Sequence, residues 1–188
     1  MSKWKSDVLD PALGPYLFDT SAESWLERST DSAARRWFNE HLRQHTLHVS
    51  AITVMERMRG YALALARAMP AERVNISLDR DTYLAVRRQV WPVDKMVALL
   101  AAELAAMLPL PPSPLKRSHR IAESRQERLV RWRCDTLIAA TAVVAAMPLI
   151  HNNPRDFETI RMAIETSPER FPTLGPLNLV SVLRLTSP

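Results

Sequence analysis

Tyr16-Leu17-Phe18-Asp19-Thr20-Ser21 is a short apolar run that ends in an acid and two hydroxyls. Aromatic and apolar residues in such a run favour a buried strand, and Asp-Thr-Ser behind it favours a polar turn or a helix cap. The same pattern recurs along the chain. His48-Val49-Ser50 reads as a second strand whose last residue caps a helix through Ile52, Met55 and Glu56. Pro148-Leu149-Ile150 reads as a third strand, followed by a turn at 152–155 and a helix over 156–165. A last strand fits 177–183. Short buried strands followed by helices predict an α/β fold with a largely parallel sheet covered on both faces, a three-layer αβα sandwich.

Between these units the pattern is helical. Helices are expected over 22–27, 32–43, 62–69, 79–89 and 93–107, with Val74–Leu78 open between strand and loop. Pro109-Leu110-Pro111-Pro112-Ser113-Pro114 interrupts the pattern. Beyond it, 116–133 reads as a basic helix and 135–146 as a strongly apolar one. The expectation is one domain over residues 1–188, with a helical insertion at about 61–114.

Composition narrows the function. The chain has 188 residues, 47% hydrophobic and 24% charged, as in an ordinary globular protein. Three glycines and no Gly-rich phosphate loop argue against a nucleotide-binding turn. One cysteine, Cys134, rules out an internal disulfide. Together with an N-terminal stretch lacking an apolar signal core and the absence of a spanning run, it leads us to expect a cytoplasmic chain with no membrane partner. His45 and His48 lack the further ligands of a zinc site. Trp91, Trp132, Met96 and Met107 read as core or interface side chains. The net charge is +5, and 113–133 holds all of that excess: Lys116, Arg117, Arg120, Arg125, Arg128, Arg131 and Arg133 stand against Glu123 and Glu127. Such a stripe suits a polyanion, and its ordinary reading is a solvated helix with Glu–Arg pairs.

Four acids stand in unusual company. Asp19 ends a strand, Glu56 follows Ile52 and Met55, Asp135 opens Thr136-Leu137-Ile138-Ala139-Ala140-Thr141-Ala142, and Asp156 follows a strand and a turn. Each has an ordinary explanation: Asp19, Asp135 and Asp156 as helix caps, Glu56 as a partner of Arg57 or Arg59. As an ordered set they resemble the motifs of PIN-domain nucleases, closest to the VapC-like toxin branch. The matching stretches are 16–21, Val49–Gly60 with its Ser-x-Ile-Thr, Glu and Gly, 135–142, and Pro148–Phe157 with an Asn before Asp-Phe. The resemblance covers about 13–60 and 116–182. His151 stands where that family commonly has Thr or Ser, and Met55 and Met58 stand where Leu is frequent.

The resemblance implies a PIN-like sandwich and a Mg2+- or Mn2+-dependent endoribonuclease. Asp19, Glu56, Asp135 and Asp156 would be the catalytic and metal-binding acids. Ser21 and Asn153 would donate hydrogen bonds that fix the carboxylates, and Arg117, Arg120, Arg128 and Arg131 would contact RNA. It also implies a cognate antitoxin and a homodimer. A housekeeping RNA-processing nuclease and a non-cleaving RNA- or protein-binding module are the alternatives.

Overall fold

The computed structural model describes residues 9–112, 124–170 and 175–182. Five parallel strands form one sheet in the order β3-β2-β1-β4-β5: β1 (Leu17–Phe18), β2 (Leu47–Ser50), β3 (Arg88–Trp91), β4 (Leu149–His151) and β5 (Leu179–Ser181). Seven α-helices connect them: α1 (Thr20–Arg28), α2 (Ser32–Gln44), α3 (Ala51–Arg67), α4 (Pro70–Ala85), α5 (Lys95–Met107), α6 (Arg125–Val144) and α7 (Pro154–Thr166). The expected α/β sandwich is therefore present, and its described strands are all parallel.

Alternation along the strands builds the three layers. Leu17 and Leu149 face a core shared with Leu100 and Leu104 of α5, Ile138 of α6 and Phe157 and Ile160 of α7. Tyr16, Phe18 and Ile150 face the opposite core, with Leu26 of α1 and Trp37 and Phe38 of α2. Neighbouring residues on one strand thus point to different layers, as the period of two requires.

Several elements differ from the expectation. Residues 61–114 carry a strand as well as helices: β3 pairs with β2, Val49 opposite Val90. The pattern predicts helix up to Gln89, because Arg88-Gln89-Val90-Trp91 lacks the apolar alternation of an inner strand. An edge strand half open to solvent does not need that alternation. Val74–Leu78 lies within α4, and Val74 and Leu78 face outward, 70% and 63% exposed. The two helices expected over 116–133 and 135–146 are one helix from Arg125, opened by Ser124, whose side chain accepts from Glu127 N while Glu127 reaches back to Ser124 N. Arg117 and Arg120 lie outside the described residues.

Strand order reverses beside β1. The chain runs outward from β1 through β2 to β3, then returns to β4 on the other flank. Loops leaving β1 and β4 therefore diverge, and a crevice opens at their carboxyl ends.

Candidate functional site

Asp19 sits at that crevice. It follows β1 directly, and its backbone N–H donates to Ile150 O at 3.0 Å, tying it to β4. Its carboxylate caps α1, accepting from Ala22 N at 2.6 Å and from Ser21 Oγ at 2.7 Å. Asp19 is thus both a helix cap and a member of the site. It is only 3% exposed. Burial pushes its pKa up to about 7, the Glu56 charge adds to the rise, and the bonds from Ala22 and Ser21 oppose it.

Asp135 is not a cap. It lies in the middle of α6, 7% exposed, with Cys134 and Thr136 buried beside it. Its pKa is raised well above the usual carboxylate value, first by burial and then by the charges of Asp19, Asp156 and Glu56, with Arg131 pulling the other way. Asp156 is in the first turn of α7, which Asn153 opens. Asn153 Nδ2 donates to Asp156 Oδ2 at 2.7 Å and reaches Asp135 Oδ2 at 3.4 Å, so one amide bridges two of the acids. Glu56, half-buried on α3, accepts from Thr20 Oγ1 at 2.5 Å. It does not take Arg57 as its ion-pair partner: that guanidinium pairs with Glu27 at 2.5 Å.

Folding thus brings the four expected acids, and both expected donors, to one end of the sheet. Thr20 and Cys134 join them without having been expected there. Burial raises the Cys134 thiol to about 12, and the charges of Glu56 and Asp135 contribute to the rise. Position was the only signal available for either, since each neighbours a motif acid in sequence. His151 ends β4, buried against Phe157 at a 5.3 Å ring separation, and burial pushes its pKa down to about 4. Of the basic stripe, Arg128 reaches Pro112 O at 3.4 Å.

The donor set is all carboxylate oxygen, which suits a hard divalent cation. Mutual repulsion in a buried place is what such a cation relieves. Among the described residues, however, no three His, Cys, Asp or Glu side chains are already set closely enough to hold an ion. The fit therefore rests on donor chemistry and on shared electrostatics, and not on a finished cage.

A parallel sheet with buried acids gathered where its strand order reverses defines an α/β protein with an anionic centre. The chain belongs to the PIN domain family, whose model matches residues 16–161. Similar folds occur in VapBC2 from Rickettsia felis bound to a promoter DNA fragment (TM-score 0.55, 15% identity, 88% of this chain and 97% of that one). They occur also in DNA-bound VapBC from Salmonella typhimurium (TM-score 0.55, 16% identity, 89% and 97%). FitAcB from Neisseria gonorrhoeae is a third (TM-score 0.55, 18% identity, 90% and 99%). A comparison with curated protein sequences finds no match.

Proposed function

We propose that the chain is a Mg2+- or Mn2+-dependent endoribonuclease, acting as the toxin of a type II toxin–antitoxin pair. One observation carries the nuclease reading: Asp19 and Asp135, from elements far apart in sequence, are both buried, Asp19 feels the charge of Glu56, and Asp135 feels those of Asp19, Asp156 and Glu56. The toxin reading is supported by membership of the PIN domain family, together with the resemblance of the motifs to its VapC-like branch, and by the VapBC2 and FitAcB structures that share the fold. Under it, an antitoxin protein and a second copy of the chain are the partners, and RNA is the substrate.

A divalent ion in such a site lowers the pKa of a bound water and offsets the charge of a phosphodiester. Asp19, Asp135 and Asp156 would hold it. Glu56, anchored by Thr20, would orient the attacking water or take its proton. Ser21 and Asn153 keep the carboxylates aimed, because the hydrogen bonds they donate restrain rotation of the carboxyl groups.

Incubating purified protein with RNA in Mg2+, Mn2+ or EDTA tests the reading. Cleavage is expected with either cation and absent with EDTA; no divalent-dependent cleavage would overturn it. Asn153→Ala should lower the rate by about 10–100-fold, the usual cost of losing a group that orients ligands. Asp19→Asn and Asp135→Asn should each cost more than that. Growth arrest on expression, relieved by the product of an adjacent small reading frame, tests the toxin assignment separately.

A further inference from the structure

We propose that Arg59 of α3 holds a phosphate of the substrate RNA at the rim of the acidic centre, with Arg131 of α6 on the facing wall. The proposal rests on the ribonuclease reading above and names a contact which that reading leaves open.

Helix geometry places the two arginines level with each other. α3 packs against α6. Where α3 begins, Ser50 Oγ and Thr141 Oγ1 lie 3.2 Å apart in a buried hydrogen bond. Further along, the Arg59 charge reaches Glu127, whose carboxyl is held below its ordinary value first by its bonds to Ser124 and then by that arginine. Residue numbers rise along one helix as they fall along the other, so the two run antiparallel. At roughly 1.5 Å per residue, Arg59 stands about 14 Å beyond Ser50 and Arg131 about 15 Å beyond Thr141.

Spacing sets the faces. Ile52, Glu56 and Arg59 recur at four and three residues, so they share one stripe of α3. Thr141, Ile138, Cys134, Arg131 and Glu127 recur in the same way on α6. Ile52 and Ile138 belong to one core. Towards solvent the seam changes character: Glu56 is half-buried and Arg59 exposed, while Cys134 is buried and Arg131 and Glu127 are exposed. Each wall of the crevice thus carries a site acid, Glu56 or Asp135, and an arginine one turn further out.

Two arginines level across a seam repel each other, and an anion between them relieves the repulsion. Among the described residues, no hydrogen bond or ion pair fixes the Arg59 guanidinium. Glu127, the acid its charge reaches, already accepts from Ser124 N and Ser124 Oγ. An RNA strand nearing four carboxylates meets repulsion, and cations at the mouth make that approach favourable. A guanidinium suits the partner, because its fork of donors matches two phosphate oxygens. The phosphate it holds is a neighbour of the one attacked, since Arg59 lies a turn away from the acids.

Binding of a fluorescein-labelled ten-nucleotide RNA to the full chain in EDTA over a range of salt, and cleavage in Mg2+, test the assignment. Arg59→Gln keeps a good helix former at an exposed position. It should raise the RNA Kd about tenfold at low salt, the usual worth of a hydrogen bond to a charged group, and lower the salt slope by about one. KM should rise with it while kcat stays near wild type, and the melting temperature should not move. Arg59→Lys should keep the slope. Glu127→Gln, which preserves the reach back to Ser124 N, should tighten RNA binding only while Arg59 is present. Wild-type Kd and slope in Arg59→Gln would overturn the proposal, as would a wild-type chain that binds no RNA in EDTA. A fall in melting temperature shared by Arg59→Gln and Glu127→Gln, with RNA binding intact, would reduce Arg59 to a solvated helix pair. Weakened capture of a protein partner, with the RNA profile intact, would also count against it. If wild-type protein binds RNA but cuts none with either cation, the nuclease reading fails, and the salt slope in EDTA still judges Arg59.

Discussion

Asp19 and His151 respond to pH in opposite senses. The Asp19 carboxyl is raised from its ordinary 3.8 to about 7 by burial. Between those values the folded chain holds a proton that the unfolded chain has released, so metal-free stability falls as pH rises from about 4 to about 7. One pKa unit corresponds to about 1.4 kcal/mol, so the whole limb is on the order of a few kcal/mol. Asp19→Asn keeps an oxygen to cap α1 and should erase that limb; at pH 8 without metal it should melt above wild type. His151 is lowered from 6.5 to about 4, again by burial. Here the unfolded chain takes up the proton first, so stability is lost as pH falls from about 6.5 towards 4. His151→Asn should flatten that acid limb. Melting temperatures across pH 4–8 in chelator separate the two. Both residues are visible in the sequence, because each stands where a strand ends. Their pKa values are not, because burial depends on what packs over them. Thr20 illustrates the limit: its bond to Glu56 spans 36 residues, and no local pattern signals it.

At the scale of elements, charges as well as apolar packing fasten the sheet edge to its helices. Arg88 of β3 donates to Glu23 Oε1 and Glu27 Oε1 of α1, both at 2.9 Å, and lies 3.7 Å from the Tyr83 ring of α4. Glu23 is fully buried. Arg57 of α3 approaches its other oxygen at 3.8 Å without a hydrogen bond. Arg88→Met would leave Glu23 short of its main partner, and breaking such a pair costs about 3–5 kcal/mol. Denaturant unfolding should register that loss, and Glu23→Gln added to Arg88→Met should recover a large share. A double variant no more stable than Arg88→Met alone would count against a role for the unpaired charge. The same network explains why β3 escapes a reading by pattern. Its inward residue is an arginine, and what makes Arg88 buried is a pair of glutamates more than 60 positions before it. The sequence pattern splits α6 in two for a related reason. Arg125–Arg133 is basic and the residues after Asp135 are apolar, yet a single backbone ladder runs through both. The apolar half packs against the sheet-facing core, while most of the basic half stays in water. Gly14 carries a steric demand of its own: a Cβ there would lie 2.8 Å from His41 Cε1 and 2.9 Å from His45 Cδ2, so a larger residue in the loop before β1 would have to displace those two rings.

For the whole molecule, the charge balance yields a further expectation. Counterion release makes RNA affinity fall steeply with salt, and removing a lysine or arginine that touches one phosphate reduces the slope by about one. Arg128→Gln should lower that slope by about one and leave the fold intact, as filter binding between low and moderate salt would register. An unchanged slope would take Arg128 out of the RNA path. No helix among the described residues is long and apolar enough to cross a membrane. The amino-acid order alone determined four of the five described strands with the helices that follow them, the layered class of fold and the four candidate acids, because local periodicity and short motifs encode burial and turns directly. Which strand flanks which, and so which acids meet, was decided by the tertiary structure. The reversal beside β1 brings the end of β1 next to the end of β4, and packing of α3 and α6 carries Glu56 and Asp135 to the same crevice. Neighbours created by long-range packing have no signature in a one-dimensional pattern.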